Sequence, residues 1–368
     1  MIGFAQSLIT ILLFILILGG LVIIHELGHF VTARLSGVRV LEFGIGFPPR
    51  AKVLRARGET LYTLNWLPIG GFVKLEGEDG SDADDPRSFT AQGLPKKLTI
   101  LVAGVAMNVV LAFVIFTGIT WLASPYVGVK FFEVQPNSPA ATAGLQPGDA
   151  IIAVDGHHYQ FVTGPNALAD LRARAGKTVS LTVADVTGAQ RDVQVTLRSA
   201  AEIDAQKGAL GISGANKPFE GFFYGEYTQN DLPTAVAVGA DQTTRWMGLI
   251  VGGLAGLVGS VAKDPTAPPP VAGPIGIATQ IGDIFWNSGP IMTLYVAGIL
   301  SANLAVVNIL PFPPLDGGRM LMITLKRIFG KRISLRAEQL TYVVGFVFLF
   351  AFIIWVTGFD IIRSLGGG

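Results

Sequence analysis

The chain contains no cysteine. Disulfides and thiolate metal sites are therefore excluded. Charge is scarce: Asp, Glu, Lys and Arg make up 14% of the residues, against about 25% in soluble domains. Half of the 368 residues are hydrophobic, and the net charge is +1. That composition indicates an integral membrane protein with a modest water-soluble part, and gives no case for nucleic-acid binding. Histidine is rare, with only His25, His29, His157 and His158. No Lys or Arg precedes the first apolar run, which is also long for a secretory leader, so it is expected to remain as a membrane segment.

Crossing a bilayer core takes about 20 apolar residues in a helix. Four stretches meet that length and predict transmembrane helices at about 4–33, 97–123, 288–312 and 338–360. A Gly-rich run, Trp246–Ala262, is marginal in length, and an amphipathic or re-entrant helix at about 235–262 is expected there. Arg319, Lys326, Arg327, Lys331, Arg332 and Arg336 cluster between the third and fourth spans, whereas 264–290 has no Lys or Arg. The positive-inside rule then places 34–97 and 316–338 in the cytoplasm, and both termini and 124–290 outside.

Within that outer region, Val127–Val134, Ala150–Val154, Val179–Val183 and Val193–Leu197 alternate as strands. Pro147-Gly148-Asp149 and Asp155-Gly156 supply turns. Short helices fit Ser138–Ala143 and Asn166–Ala173. With Ser138-Pro139-Ala140-Ala141 leading to Val154-Asp155-Gly156, residues 126–200 resemble one bacterial PDZ domain, whose ligand loop would be Tyr126, Val127, Gly128 and Val129. Residues 201–285 are expected to be a linker, with short strands in 201–235 and the marginal helix after them. The membrane core is expected at 1–125 and 286–368. Segment 38–76 predicts a hairpin of two strands, Val38–Gly46 and Leu61–Val73, around a basic turn at 50–58. At membrane depth such a hairpin must pack on protein or face water. Its open edge offers pairing to an extended substrate.

His25-Glu26-Leu27-Gly28-His29 has the HExxH pattern. On a helix, residues four apart share a face, so both imidazoles can reach one metal ion while Glu26 acts on its water. Placing this triplet at the end of an uncharged apolar helix is costly and implies function; an interfacial snorkelling cluster would use Lys or Arg instead. Catalytic zinc commonly takes three protein ligands. His157 and His158 sit at a predicted turn of the outer domain and are expected to be exposed. Asp316, which ends a long uncharged run and opens Asp316-Gly317-Gly318, is the better third ligand. Its alternative is a helix cap at the membrane edge. Asn108 is expected to join helices, and Asn303 and Asn308 to face substrate.

HELGH, the run Asn308-Ile309-Leu310-Pro311-Phe312-Pro313-Pro314-Leu315-Asp316-Gly317, and the stretches Gly70-Gly71-Phe72-Val73-Lys74, Gly104-Val105-Ala106-Met107-Asn108 and Gly273-Pro274-Ile275-Gly276 resemble the site-2 protease family. The nearest pattern is that of the bacterial regulator-of-sigma-E protease group, whose enterobacterial members have two PDZ domains. The resemblance implies a polytopic helical membrane protein with four spans, a membrane-associated hairpin and one inserted PDZ domain. It implies one zinc ion held by His25, His29 and Asp316, with Glu26 as catalytic acid/base. Asn303, Asn308, Gly70, Gly71 and Phe72 would hold substrate. It further implies an inner-membrane enzyme that cuts single-span membrane proteins, anti-sigma factors or remnant signal peptides, in the lipid bilayer after another protease has trimmed them. A metal transporter would be expected to show inverted repeats, and none is visible. A scaffold would not need the full ligand set.

Overall fold

The computed structural model describes all residues except 1, 79–84, 161–166, 205–206, 214–221, 265–267, 331–334 and 366–368. It divides into two compact units, one of residues 1–117 and 239–368, the other of 118–238.

The first unit holds helices α1 (Ile2–Leu35), α2 (Leu94–Leu122), α5 (Leu232–Lys263), α6 (Pro274–Asn308), α7 (Asp316–Phe329) and α8 (Leu335–Leu365), with α2 ending and α5 beginning in the second unit. Among the described residues, five helices (α1, α2, α5, α6 and α8) are long and apolar enough to cross a membrane. Four were expected, and α5 is the addition. Helix α6 also starts well before the expected 288. It is two arms meeting at Gly289 (φ 80°, ψ −178°) and Pro290, and the first arm begins on Pro274. Proline suits the first turn of a helix because its missing N–H had no partner there. Asp283 within this arm is what hid it from an apolar-run reading.

Close approach of α1 to α2 depends on missing side chains. A Cβ at Gly28 would stand 2.4 Å from the Ala103 carbonyl oxygen. Below it, Ala33, Val38, Val40, Leu75, Phe89, Ile100 and Leu101 form a buried core joining α1, the hairpin and α2. Helix α8 ties to α6 at its far end, where the buried Asp360 carboxylate accepts from the Gly276 N–H at 2.8 Å.

The hairpin comprises β1 (Val40–Arg57) and β2 (Thr60–Leu75), turning at Gly58-Glu59. The expected basic turn at 50–58 is therefore mostly strand. Each strand also folds on itself, so Glu42–Ile45 lies between Gly71–Lys74 and Leu61–Leu64, and Arg50–Arg57 pairs outside Thr60–Asn65. The result is a sheet of four short segments whose edges are 71–75 and 50–57. Gly70 (φ +87°) makes the bend before the first of these edges. Inside, Arg50 donates to Glu42 at 2.6 and 3.2 Å and Thr63 donates to the same carboxylate at 2.7 Å.

In the second unit, β10 (Phe222–Thr228), β3 (Ser124–Lys130), β5 (Ala150–Val154), β7 (Thr178–Ala184) and β8 (Gln190–Thr196) form a sheet in that order, with β6 (His157–His158) on β5; β4 (Glu133–Val134) pairs separately with β9 (Ile212–Ser213). Short helices α3 (Pro139–Thr142) and α4 (Ala167–Ala173) complete it. Ile151, Val154, Leu171, Leu181 and Val183 centre a core in which every member is buried. The expected strands appear within a few residues. Two strands beyond 200, β9 and β10, are the short strands expected within the linker, and the structure makes them part of this unit.

Candidate metal centre

Helix α1 presents His25 and His29 on one face, as the four-residue spacing requires. Asp316 arrives from the first turn of α7, 291 residues away in sequence from His25. The three donor atoms converge: His25 Nε2 to Asp316 Oδ2 is 3.0 Å, His29 Nε2 to Asp316 Oδ2 is 3.3 Å, and the two Nε2 atoms are 3.1 Å apart. Both histidines are buried. Bonds of about 2.0–2.1 Å from a tetrahedral zinc ion to nitrogen put ligand atoms about 3.3 Å apart. The observed spacings fit such an ion. Two imidazole lone pairs and a carboxylate aimed at one point, away from water, need a cation between them.

The outer contacts orient these ligands. His29 Nδ1 donates to the Ile100 carbonyl at 2.8 Å, which leaves Nε2 bare. The Asn108 side chain lies 3.3 Å from His25 Nδ1, and its Oδ1 is buried with no partner. With the amide turned over, Oδ1 accepts from His25 Nδ1–H, which satisfies both groups and again leaves Nε2 for the metal. Asn108 also joins helices, since its backbone carbonyl accepts from Ser301 at 2.8 Å. Sequence reasoning expected the amide only to join helices; the structure sets it against His25, and the bond from Ser301 is to the backbone rather than to the amide. The only signal of the His25 contact was an amide in an apolar helix, placed in register with HExxH across an antiparallel pair. Gly104 was missed in the same way: a Cβ there would meet His29 Nε2 at 2.4 Å.

Asp316 is held by the fold of the preceding loop. Gly317 and Gly318 lie so close to it that a Cβ would stand 2.1 Å from the Ile309 carbonyl oxygen and 2.5 Å from the Phe312 carbonyl carbon, respectively. Pro313 in turn packs against Gly345 of α8. The LDGG sequence is thus a requirement of close backbone packing.

A cavity of about 460 Å³ opens onto the three ligands. Glu26, Gly71, Phe72 and Asn308, each singled out in the sequence, line it. Glu78, Leu304 and Arg319 line it as well and were not singled out in the sequence. Gly71 brings the hairpin edge against Glu26, with a Cβ there 3.7 Å from Glu26 Cγ. Two expected residues stand apart from the lining. Gly70 packs on Phe47, and Asn303 is half-buried elsewhere on α6.

His157 and His158 belong to the second unit, where His158 stacks on Tyr126 at 4.4 Å. Tyr126–Val129, expected as a ligand loop, run inside β3. Val127–Val129 pair with β10 on one side, and on the other Val129 pairs with β5 while the Val127 N–H donates to Tyr159. Their backbone is committed to the sheet, so it differs from the open loop the motif suggested.

Residues 13–352 match the family model described as peptidase family M50. Two relatives carry the name putative zinc metalloprotease. One, of Clostridium perfringens, is 32% identical over 95% of this chain and 97% of its own length. The other, of Clostridium acetobutylicum, is 32% identical over 98% and 99%. The zinc metalloprotease RasP of Geobacillus kaustophilus is 28% identical over 97% of this chain and 98% of its own. With the ligand geometry, the family match and this near-complete coverage together, the chain belongs to peptidase family M50, the site-2 protease family that its paired motifs resemble.

Proposed function

We propose that this multi-pass membrane metalloprotease hydrolyses peptide bonds within or beside the transmembrane segments of single-span membrane proteins. In this reading His25, His29 and Asp316 hold one zinc ion and Glu26 is the general base. The observation that carries it is the meeting of three donors within 4.8 Å of one another, in a cavity that Glu26 also lines. Relatives named zinc metalloproteases support zinc as the ion. When bound, zinc acidifies water and polarises a carbonyl. Glu26 takes the proton of the attacking water and delivers it to the departing amine. Ile100 and Asn108 orient His29 and His25 respectively.

A substrate helix hides its carbonyls in its own hydrogen bonds, so it must unwind before attack. The hairpin edge at Gly71–Leu75 supports strand addition there, since Gly71, Phe72, Val73 and Leu75 line the metal cavity. Helix-weakening residues in the substrate then favour cleavage. Asn308 faces the same cavity and is a candidate to hold the unwound strand.

Four spans, with α5 kept to one side, is the topology we favour. Near its start α5 packs on Thr117 through Gly239 and bonds Tyr295 through Trp246. Beyond its end, the Pro269 and Val271 carbonyls accept from Arg363, close to the Asp360–Gly276 contact at the end of α8 remote from the metal. Asp264 to Pro269 provides at most about 18 Å of chain, too little to recross a core about 30 Å thick. This supports an inner-membrane protein with its termini and PDZ-like unit outside and its metal site near the cytoplasmic face. That unit would act as a size filter, admitting substrates such as anti-sigma factors or remnant signal peptides after another protease has trimmed them.

The test is cleavage of a model transmembrane substrate by purified protein in detergent, wild type against Glu26→Gln, with zinc measured in both. Cleavage by wild type alone, with zinc in both, is expected. Cleavage by the variant sinks the role of Glu26, and a zinc-loaded wild type inert on several substrates sinks the protease reading.

A further inference from the structure

A second cavity, of about 850 Å³, adjoins the metal cavity, and the two share Glu78 and Arg319 as lining residues. Arg319 Nη2 lies 2.5 Å from Glu78 Oε1. The other Glu78 oxygen accepts from the Leu75 N–H at 3.1 Å, which fastens the pair to the end of the hairpin edge. Arg319 stands one helical turn after Asp316 on α7 and, among the described residues, is the only Lys or Arg that lines the metal cavity. The second cavity is basic, with Lys97, Arg319, Lys326 and Arg327 set against Glu78 and Glu338. Lys326 is bonded to Glu338, whereas Lys97 donates to the Thr90 carbonyl at 2.7 Å. Cationic character therefore rises from the metal cavity outward.

We propose that Arg319 is a product-binding residue. It exchanges Glu78 for the carboxylate freed at each cleavage and draws that end of the product into the basic cavity. This inference rests on the protease reading above. Hydrolysis breaks the peptide C–N bond, adds the water oxygen to the carbonyl carbon, and leaves a carboxylate and an ammonium, both water protons ending on nitrogen. A carboxylate released among the apolar side chains of this cavity needs a cation, and among the described lining residues only Arg319 offers one beyond the metal. Its planar fork can hold two carboxylate oxygens at once, and both Glu78 and the product present that group. Glu78 partners the half-buried guanidinium between turnovers.

The test uses two short fluorescent peptides of one apolar sequence, one ending in a free carboxylate and the other in a carboxamide. Binding to the full-length, zinc-loaded protein in detergent is read by anisotropy, so it needs no turnover. Wild type is expected to prefer the carboxylate by roughly tenfold or more beyond the preference in Arg319→Gln, the loss expected for a charge-assisted hydrogen bond. The double variant Glu78→Gln/Arg319→Gln leaves no unpaired charge and keeps the test valid where the single variant is unstable. It should show the same reduced preference. Glu78→Gln alone frees the guanidinium, so the preference should rise and kcat should fall more than KM. An equal carboxylate preference in wild type and both Arg319 variants, with zinc content unchanged, assigns the product to the metal alone and overturns the proposal. No preference in wild type does so too. Failure of the protease reading is separate, because it appears as a wild type that binds these peptides but cuts no substrate.

Discussion

Replacing Gly104 by alanine adds one methyl group to α2, and the structure says where it goes. Its Cβ falls 2.4 Å from His29 Nε2, 2.6 Å from His29 Cε1 and 2.8 Å from His25 Cε1. Carbon contacts settle at about 3.5–4.0 Å, so an imidazole must retreat by about 1 Å. Neither ring is a free end. His29 is tied to the Ile100 carbonyl through Nδ1, and His25 lies against Asn108. Metal bonds tolerate about 0.2 Å of error, so a 1 Å retreat removes a ligand from a three-residue set. Zinc affinity is expected to fall at least about a hundredfold, near 2.7 kcal/mol, and cleavage with it. Gly20→Ala is the control: nothing stands within 4 Å of its Cβ, and alanine in a helix interior is favoured over glycine by about 1 kcal/mol. Zinc affinity is measured by competition with a chromogenic chelator, and folding by thermal unfolding followed by circular dichroism. Wild-type affinity in a normally folded Gly104→Ala protein would refute the idea that both imidazoles serve one ion against the backbone of α2.

Asn108→Leu keeps the helix contact volume but removes the partner of His25 Nδ1, and should lower zinc affinity by about 10- to 100-fold; unchanged metal competition would place Asn108 back in a purely packing role. Gly317→Ala sets a methyl 2.1 Å from the Ile309 carbonyl oxygen. It should displace Asp316 and cut both zinc content and activity, and normal zinc stoichiometry would contradict the tight turn. For topology, Asp264→Cys is the only thiol in its chain; an impermeant maleimide should label it from the same side as a cysteine placed at Thr187, and labelling from the opposite side would make α5 a span. In the second unit, Asp170 accepts from Arg174 at 2.7 and 3.2 Å and from Tyr159 at 2.6 Å. The Arg174 bonds hold its carboxyl below the usual range. A depressed pKa gives stability that is present above the unfolded value of about 3.9 and is lost as pH falls through the folded value. Asp170→Asn should therefore weaken hydrogen-exchange protection in β5 and β7 at neutral pH by about 1 kcal/mol, discounted for partial exposure. The gap should close well below pH 4, and a gap that persists there would point to some other cause.

Much of the candidate site was legible because its signals are local. HExxH needs only helical periodicity to put His25 and His29 on one face. Asp316 stood out because a carboxylate after a long uncharged run requires a reason. The strands of residues 127–197 announced themselves by alternation and by Gly and Pro turns. Helix α7 and the first arm of α6 were hidden because neither is an uninterrupted apolar run, the signal by which spans were placed. Strands β9 and β10 lie in a stretch that reads as a linker with short strands, and which sheets they join is set by partners about 80 to 100 residues earlier.

Sequence by itself determined the membrane class, the metal-ligand helix and the reaction type, because composition and short periodic patterns act within a few turns of chain. The tertiary structure alone decided that Gly104 and Asn108 back the imidazoles and that Gly71–Leu75 is a hairpin edge on the metal cavity. It also decided that Glu78 and Arg319 divide that cavity from a basic one. Each of these depends on backbones tens or hundreds of residues apart coming within a few ångströms, and a residue's type carries no information about what a distant segment brings against it.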